Sequence, residues 1–177
     1  MLVSRSELLP PSPVAIAVAS AQIHAMSDAI IATIRRLLFV TLFLGLGGTL
    51  TELFLLGHYE DWQQYVPLVV LGAGLGAQGW FAVSRSAASV RGVRAAMWSC
   101  ILSGVAGVLL HYQGNREFEL EMTPGAAGWS LFSAVMTGAT PTLAPGSMVQ
   151  LGLVGLAWAF RHPAAQPPPT TTSSVLP

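Results

Sequence analysis

Residues 37–57 read LLFVTLFLGLGGTLTELFLLG, an apolar run broken by a single charge, Glu52. At about 1.5 Å per residue such a run crosses the roughly 30 Å of hydrocarbon in a bilayer. Three more stretches approach that length, at 66–83, 95–112 and 143–160. An isolated strand cannot satisfy its backbone groups in lipid, and four segments cannot close a barrel, so each is predicted to be helical. The expected fold is all-α: a four-helix transmembrane bundle with an outward-facing loop or lid at 113–142 and disordered termini.

Composition agrees. Of 177 residues, 53% are hydrophobic and only 9% charged, where a soluble domain spends about a quarter of its residues on charge. The mean hydropathy is +0.60. An ordinary water-exposed surface is thereby excluded. Eight basic residues, all Arg, balance eight acidic ones, leaving no basic excess to attract nucleic acid. Cys100 is the single cysteine, which rules out an intramolecular disulfide or a Cys-x-x-Cys redox centre and makes it a packing residue.

Orientation follows from the arginines. Arg35 and Arg36 precede the first span, Arg85, Arg91 and Arg94 lie between the second and third, and Arg161 follows the fourth. The positive-inside rule then places both termini and the 84–94 loop in the cytoplasm, with 58–65 and 113–142 outside. Tyr59, Trp62 and Tyr65 are the expected aromatic anchors of the outer rim, and Trp80 and Trp158 those of the inner one.

The segment 1–34 is the N-terminal cytoplasmic or interfacial part. Ala19-Ser20-Ala21 resembles a signal-peptidase site, but Glu7 and three prolines precede it, and cleavage would strand Arg35 and Arg36 outside. A fifth span at 14–34 would have to reverse at Arg35-Arg36 without loop residues. Two readings stay open: an interfacial helix running into the first span, or a translation start at Met26 that leaves residues 1–25 untranslated. The tail 162–177, rich in Pro, Thr and Ser, is expected to be disordered.

Helices in lipid associate where small residues let backbones approach. Gly45 and Gly48 share a face of the first span with Glu52. Gly72 and Gly76 have the G-x-x-x-G spacing, Cys100, Ser103, Gly104, Gly107 and His111 share a face of the third span, and Gly152 and Gly155 lie on the fourth. Gly45, Gly48, Gly72, Gly76 and Gly107 are the expected packing positions.

Among polar residues Glu52 weighs most, since a mid-membrane carboxylate costs about 2.5–3.5 kcal/mol on insertion scales. It stands sixteen residues beyond Arg36, about 24 Å along its helix, and His111 stands seventeen beyond Arg94, about 25 Å. Equal depth makes an intramembrane Glu52–His111 pair the expected contact, either as an interhelical clamp or for proton or cation handling. Around it the outer side is acidic: His58, Glu60 and Asp61 follow the first span, and Glu117, Glu119 and Glu121 the third. Histidine with carboxylate is suitable chemistry for zinc, manganese or non-haem iron. No H-E-x-x-H or E-x-x-H spacing is present, so no cofactor is expected. A metal ion on that rim, or a haem between His58 and His111, is the lesser alternative. Gln78 and Gln150 are read as interhelical glue.

Within the long outward loop, Glu117-Phe118-Glu119-Leu120-Glu121-Met122 alternates strictly, which predicts an extended segment with one acidic and one apolar face. Pro124-Gly125 turns the chain, and Trp129–Met136 predicts a short interfacial helix. Loops of this length with their own pattern are often functional.

The strings Glu52-Leu53-Phe54-Leu55-Leu56-Gly57-His58-Tyr59-Glu60-Asp61, then Val66-Pro67-Leu68, Glu117 to Met122, Ala144-Pro145-Gly146 and Arg161-His162-Pro163 resemble those of small uncharacterised bacterial multi-pass membrane proteins. The resemblance covers about 37–163. It implies a bacterial inner-membrane location and no particular activity. The expected role is a non-catalytic accessory or assembly component of an inner-membrane complex, with lipid and other membrane proteins or further copies of itself as partners. The alternative is a proton- or metal-linked transport or redox protein using Glu52, His111 and the acidic rim.

Overall fold

A computed structural model of the chain describes residues 12–138 and 140–166. Helix makes up 83% of these, and no strand occurs among them. Five α-helices follow one another: α1 Pro13–Leu55, α2 Trp62–Ser84, α3 Ala87–Met122, α4 Gly128–Met136 and α5 Gly146–Ala159, with a single 3-10 turn at Pro163–Ala165. The first three are long and apolar enough to cross a membrane; α5, with 14 residues, is shorter.

Residues up to Leu37 form one unit and those from Leu38 a second, so α1 contributes to both. In the first unit the helix is exposed on every side except at Arg35, with Ile16, Ile23 and Ile30 turned outward. Met26, Ala29, Ile30, Thr33 and Ile34 line an apolar groove along it. Residues 1–11, where part of the predicted N-terminal segment falls, lie outside the described residues.

In the second unit α3 is the central element, packing against α2, α4, α5 and the 3-10 turn. Its buried residues Val90, Val93, Met97, Cys100 and Gly104 recur every three or four positions and so form one stripe. Leu42 and Leu46 of α1, Leu71 of α2, and Met148, Trp158 and Ala159 of α5 complete the core around them. Cys100 is buried, as its packing role requires.

Short, well-capped turns set the helix pairings. Only Arg85 and Ser86 separate α2 from α3. Arg85 adopts φ 46° and donates its N–H to Phe81 O at 2.9 Å. The Ser86 hydroxyl accepts from Ser89 N at 3.2 Å, while Ser89 Oγ accepts from Ser86 N at 3.1 Å, a reciprocal cap that satisfies two orphan donors. At the far end of α5, Arg94 Nη2 donates to Ala159 O at 2.7 Å. A cation there meets both an orphan carbonyl and the negative end of the helix dipole.

Several expectations are corrected. The alternating segment 117–122 is not extended: α3 runs unbroken to Met122. The connection after α3 therefore begins only at Thr123, and the short helix expected at 129–136 is α4. The tail is ordered as far as Gln166, with Ala164 and Ala165 packed on the core and His162 against Phe81 and Trp158 at 5.0 and 4.7 Å between ring centroids; 167–177 lie outside the described residues. Trp158 is no interfacial anchor but a core side chain, 2% exposed, while Trp80 is half exposed.

The glycines divide sharply. A Cβ on Gly45 would strike the Leu151 side chain, and one on Gly107 would come within 2.7 Å of Pro145 Cβ. A Cβ on Gly48, Gly72 or Gly76 would meet nothing within 4 Å among the described residues, so no close approach to another helix of the chain is seen at these three. Gly104, not among the expected sites, faces harder obstacles, because a Cβ there would sit 2.8 Å from Pro145 O and 2.9 Å from Val149 N, backbone atoms with no rotamer to yield. Gly104→Ala should destabilise the protein by about 1–3 kcal/mol. Gly76→Ala should be neutral or stabilising by up to about 1 kcal/mol. Thermal unfolding of both variants in detergent checks the contrast.

Candidate functional site

The polar residues collect where α3 leaves its apolar stretch, and the hub there is Asn115, 3% exposed. It continues the small-residue stripe of α3, four residues beyond His111 and eight beyond Gly107. Its Nδ2 lies 2.7 Å from Thr140 O, 2.9 Å from Val135 O and 3.0 Å from Thr142 Oγ1. Its Oδ1 accepts from Thr140 Oγ1 at 2.6 Å and from Thr140 N at 3.2 Å. Thr142, 1% exposed, donates its hydroxyl to Val135 O at 2.9 Å. One amide thus ties the end of α4 and the return strand of chain 140–142 to α3. Gly138 is part of the fit, since a Cβ there would lie 3.0 Å from Asn115 Cγ.

One turn nearer the core, His111 Nδ1 lies 3.1 Å from Pro141 O. A carbonyl only accepts, so the ring nitrogen is the donor and the neutral ring carries its lone pair on Nε2. His111 and Asn115 therefore hold neighbouring carbonyls of the same segment.

His58 approaches from the α1–α2 turn. Gly57, at φ 65°, stands in the left-handed region that ends helices, with Gly57 N donating to Phe54 O at 3.2 Å and His58 N to Leu53 O at 2.9 Å. These are the two bonds of a Schellman cap, and they fix the backbone of His58. Gln64 Oε1 closes the turn from the other side by accepting from Glu60 N at 2.8 Å. His58 is half-buried. Burial and, next, the charge of nearby His111 lower its pKa from the usual 6.5.

Of the polar residues singled out in the sequence, His58 is the one whose titration the charge of His111 influences. Glu52 is exposed, and no hydrogen bond joins it to His111 among the described residues. Glu60, Asp61, Glu117 and Glu121 are exposed and Glu119 half-buried. No group of three or more His, Cys, Asp or Glu side chains is placed to share a metal ion among the described residues, so the acidic rim does not close into a multidentate site. Gln78 is buried and donates Nε2 to Phe39 O at 3.2 Å, an interhelical bond as expected, whereas Gln150 is exposed.

Asn115 and Thr142 are residues of the candidate site that sequence reasoning missed. The signal was present: extending the Gly104–Gly107–His111 stripe by one turn lands on Asn115. Comparison with protein-family models, with curated proteins and with solved structures gives no match.

Asn115→Ala should cost about 1–3 kcal/mol, because it leaves Thr140 N and O to be satisfied by water or not at all. The accompanying sign is faster proteolytic cleavage within 137–145 while α2 and α3 stay resistant. The lowered pKa of His58 carries a signed pH dependence. Above pH 6.5 the ring is neutral folded or unfolded; below it the unfolded chain takes up the proton more readily, so folded stability falls as pH drops from 6.5 toward the folded-state value. Melting temperatures at pH 7.5 and 5.5 should differ less in His58→Gln than in the parent.

Proposed function

We propose that the chain is a multi-pass protein of a bacterial inner membrane, a four-helix bundle with cytoplasmic termini, acting as a non-catalytic accessory or assembly component. Three long apolar helices support the membrane reading, as do the large apolar side chains turned outward along them: Phe43, Leu44, Val69, Leu102 and Leu109. The fourth span is α5 with its lead-in, where Ala144 N bonds Pro141 O at 3.1 Å and Gly146 N bonds Leu143 O at 2.9 Å. The helix alone covers about 21 Å, and the turns on either side lengthen it. Within the second unit Arg85, Arg91, Arg94 and Arg161 lie at the helix ends opposite Glu52, Glu60, Asp61, Glu117, Glu119 and Glu121, with Arg116 the exception, which favours a cytoplasmic C-terminus.

The observation that carries the accessory reading is the outer cap. α3 continues past its apolar part into the acidic stretch 116–122, and α4 is clamped on it by Asn115. On α4, Trp129 and Phe132 are 78% and 41% exposed, with ring centroids 5.3 Å apart. An amide hub that orders backbone and presents an aromatic pair suits a docking platform.

The test uses single cysteines in a Cys100→Ala background, probed by a membrane-impermeant maleimide. Glu121→Cys in intact spheroplasts should label from outside at the rate seen in detergent. Trp129→Cys should label more slowly in the membrane than in detergent, because its partner covers it there. Labelling of both only after permeabilisation would overturn the topology, and equal rates for Trp129→Cys in membrane and detergent would overturn the docking role.

A further inference from the structure

Among the described residues two that are not glycine adopt a left-handed backbone, Arg85 at φ 46° and Arg161 at φ 45°, and both close apolar helices. Arg85 N donates to Phe81 O at 2.9 Å, and His162 N, just beyond Arg161, donates to Ala159 O at 3.3 Å. Glycine is the ordinary residue at such helix ends, because a Cβ costs energy in that backbone region. The helix dipole favours a cation near a C-terminus, but one placed earlier in the last turn would gain as much without the strain. Strain kept at two exposed arginines points to a use for their side chains.

Both belong to one end of the second unit. The ring of Phe81, whose carbonyl holds Arg85, packs on His162 at 5.0 Å and on Trp158 at 4.7 Å between centroids, and Arg94 Nη2 donates to Ala159 O at 2.7 Å. The Arg161 guanidinium carbon lies 5.6 Å from the centroid of the Phe160 ring, while the Arg85 side chain makes no hydrogen bond or ion pair among the described residues. No Asp or Glu occurs between 62 and 116 or after 121, so no acidic side chain of α2, α3 or α5 neutralises this end. Trp80, five residues before Arg85 and half exposed, packs at Gly92 of α3, where a Cβ would lie 3.0 Å from its ring. An indole so placed suits the headgroup level of a bilayer.

We propose that this end binds the phosphodiester headgroup of an anionic phospholipid through the guanidinium groups of Arg85 and Arg161. A guanidinium matches a pair of phosphate oxygens with two parallel N–H donors, and basic pockets between membrane helices take anionic headgroups. The site rests on the membrane reading above and is independent of the docking role of α4.

The probe is dioleoylphosphatidylglycerol, titrated into the full chain in mild detergent and followed by native mass spectrometry, with dioleoylphosphatidylcholine as the neutral comparison. The anionic lipid should bind more tightly than the neutral one. Arg85→Gly and Arg161→Gly should each weaken its binding about fivefold, yet melt at or above the parent's temperature in detergent alone, because glycine relieves the backbone. Arg116→Gln, at the opposite end, should bind as the parent does. A second measurement needs no variant: the preference for the anionic lipid should collapse when ammonium acetate is raised from about 50 mM to about 500 mM. Equal binding of the two lipids, unchanged binding in either glycine variant, an equal loss in Arg116→Gln, a preference that survives the salt, or displacement by inorganic phosphate at the lipid's own concentration overturns the proposal and leaves the membrane reading standing. Binding of neither lipid overturns both.

Discussion

The close backbone approach of α3 and α5 governs everything outward of it. Gly104 and Gly107 on one helix and Gly152 and Gly155 on the other leave no room for a Cβ: one on Gly152 would lie 2.7 Å from Met97 O, and one on Gly155 would strike the Met97 side chain. Apolar side chains gain little by leaving lipid for one another, so such contacts, rather than burial as such, specify which helices pair. Where α5 begins is fixed with them. Pro145 must sit over Gly107, and the preceding chain is then carried outward along the same stripe of α3, Pro141 at His111 and Thr140 at Asn115. A glycine notch low on α3 thereby decides which carbonyls the polar residues higher up can reach.

Polar groups are used sparingly and mostly to complete backbone. Arg94 caps α5, Gln78 reaches the Phe39 carbonyl, and Asn115 satisfies the Val135 carbonyl in the last turn of α4 and the carbonyl and N–H of Thr140. In a buried setting an unmet backbone group costs more than a made bond gains, so the hub stiffens 135–142 chiefly by making its unfolding expensive. Gln78 Oε1, by contrast, is buried without a hydrogen-bond partner among the described residues.

Hydropathy alone located the apolar cores of α2, α3 and α5, because a helix long enough for lipid has few competing readings. What it missed has identifiable causes. The 117–122 alternation looked extended, yet Glu, Leu and Met are strong helix formers and no strand is present among the described residues to pair with. α3 therefore runs on until Pro124-Gly125. Glycine spacing located faces without saying which face has a neighbour, and Gly72 and Gly76 lie on an open one. Trp158 was assigned by position along its helix, whereas its azimuth sets it among Phe39, Phe81 and His162.

Glu52 shows how far depth arithmetic reaches. It shares the stripe of Gly45, which packs on Leu151 of α5, and it stands seven residues further along, about 10 Å. α5 runs antiparallel there and begins at Gly146, five residues from Leu151 or about 8 Å. The partner helix has ended before Glu52 is reached, so the carboxylate is exposed. His58 stands six residues later, just past Gly57, whose left-handed φ turns the chain after α1. A histidine and a glutamate at matching heights were legible in the sequence; whether the carboxylate finds a covering helix depended on where α5 starts, at Gly146, and that is not encoded in hydropathy.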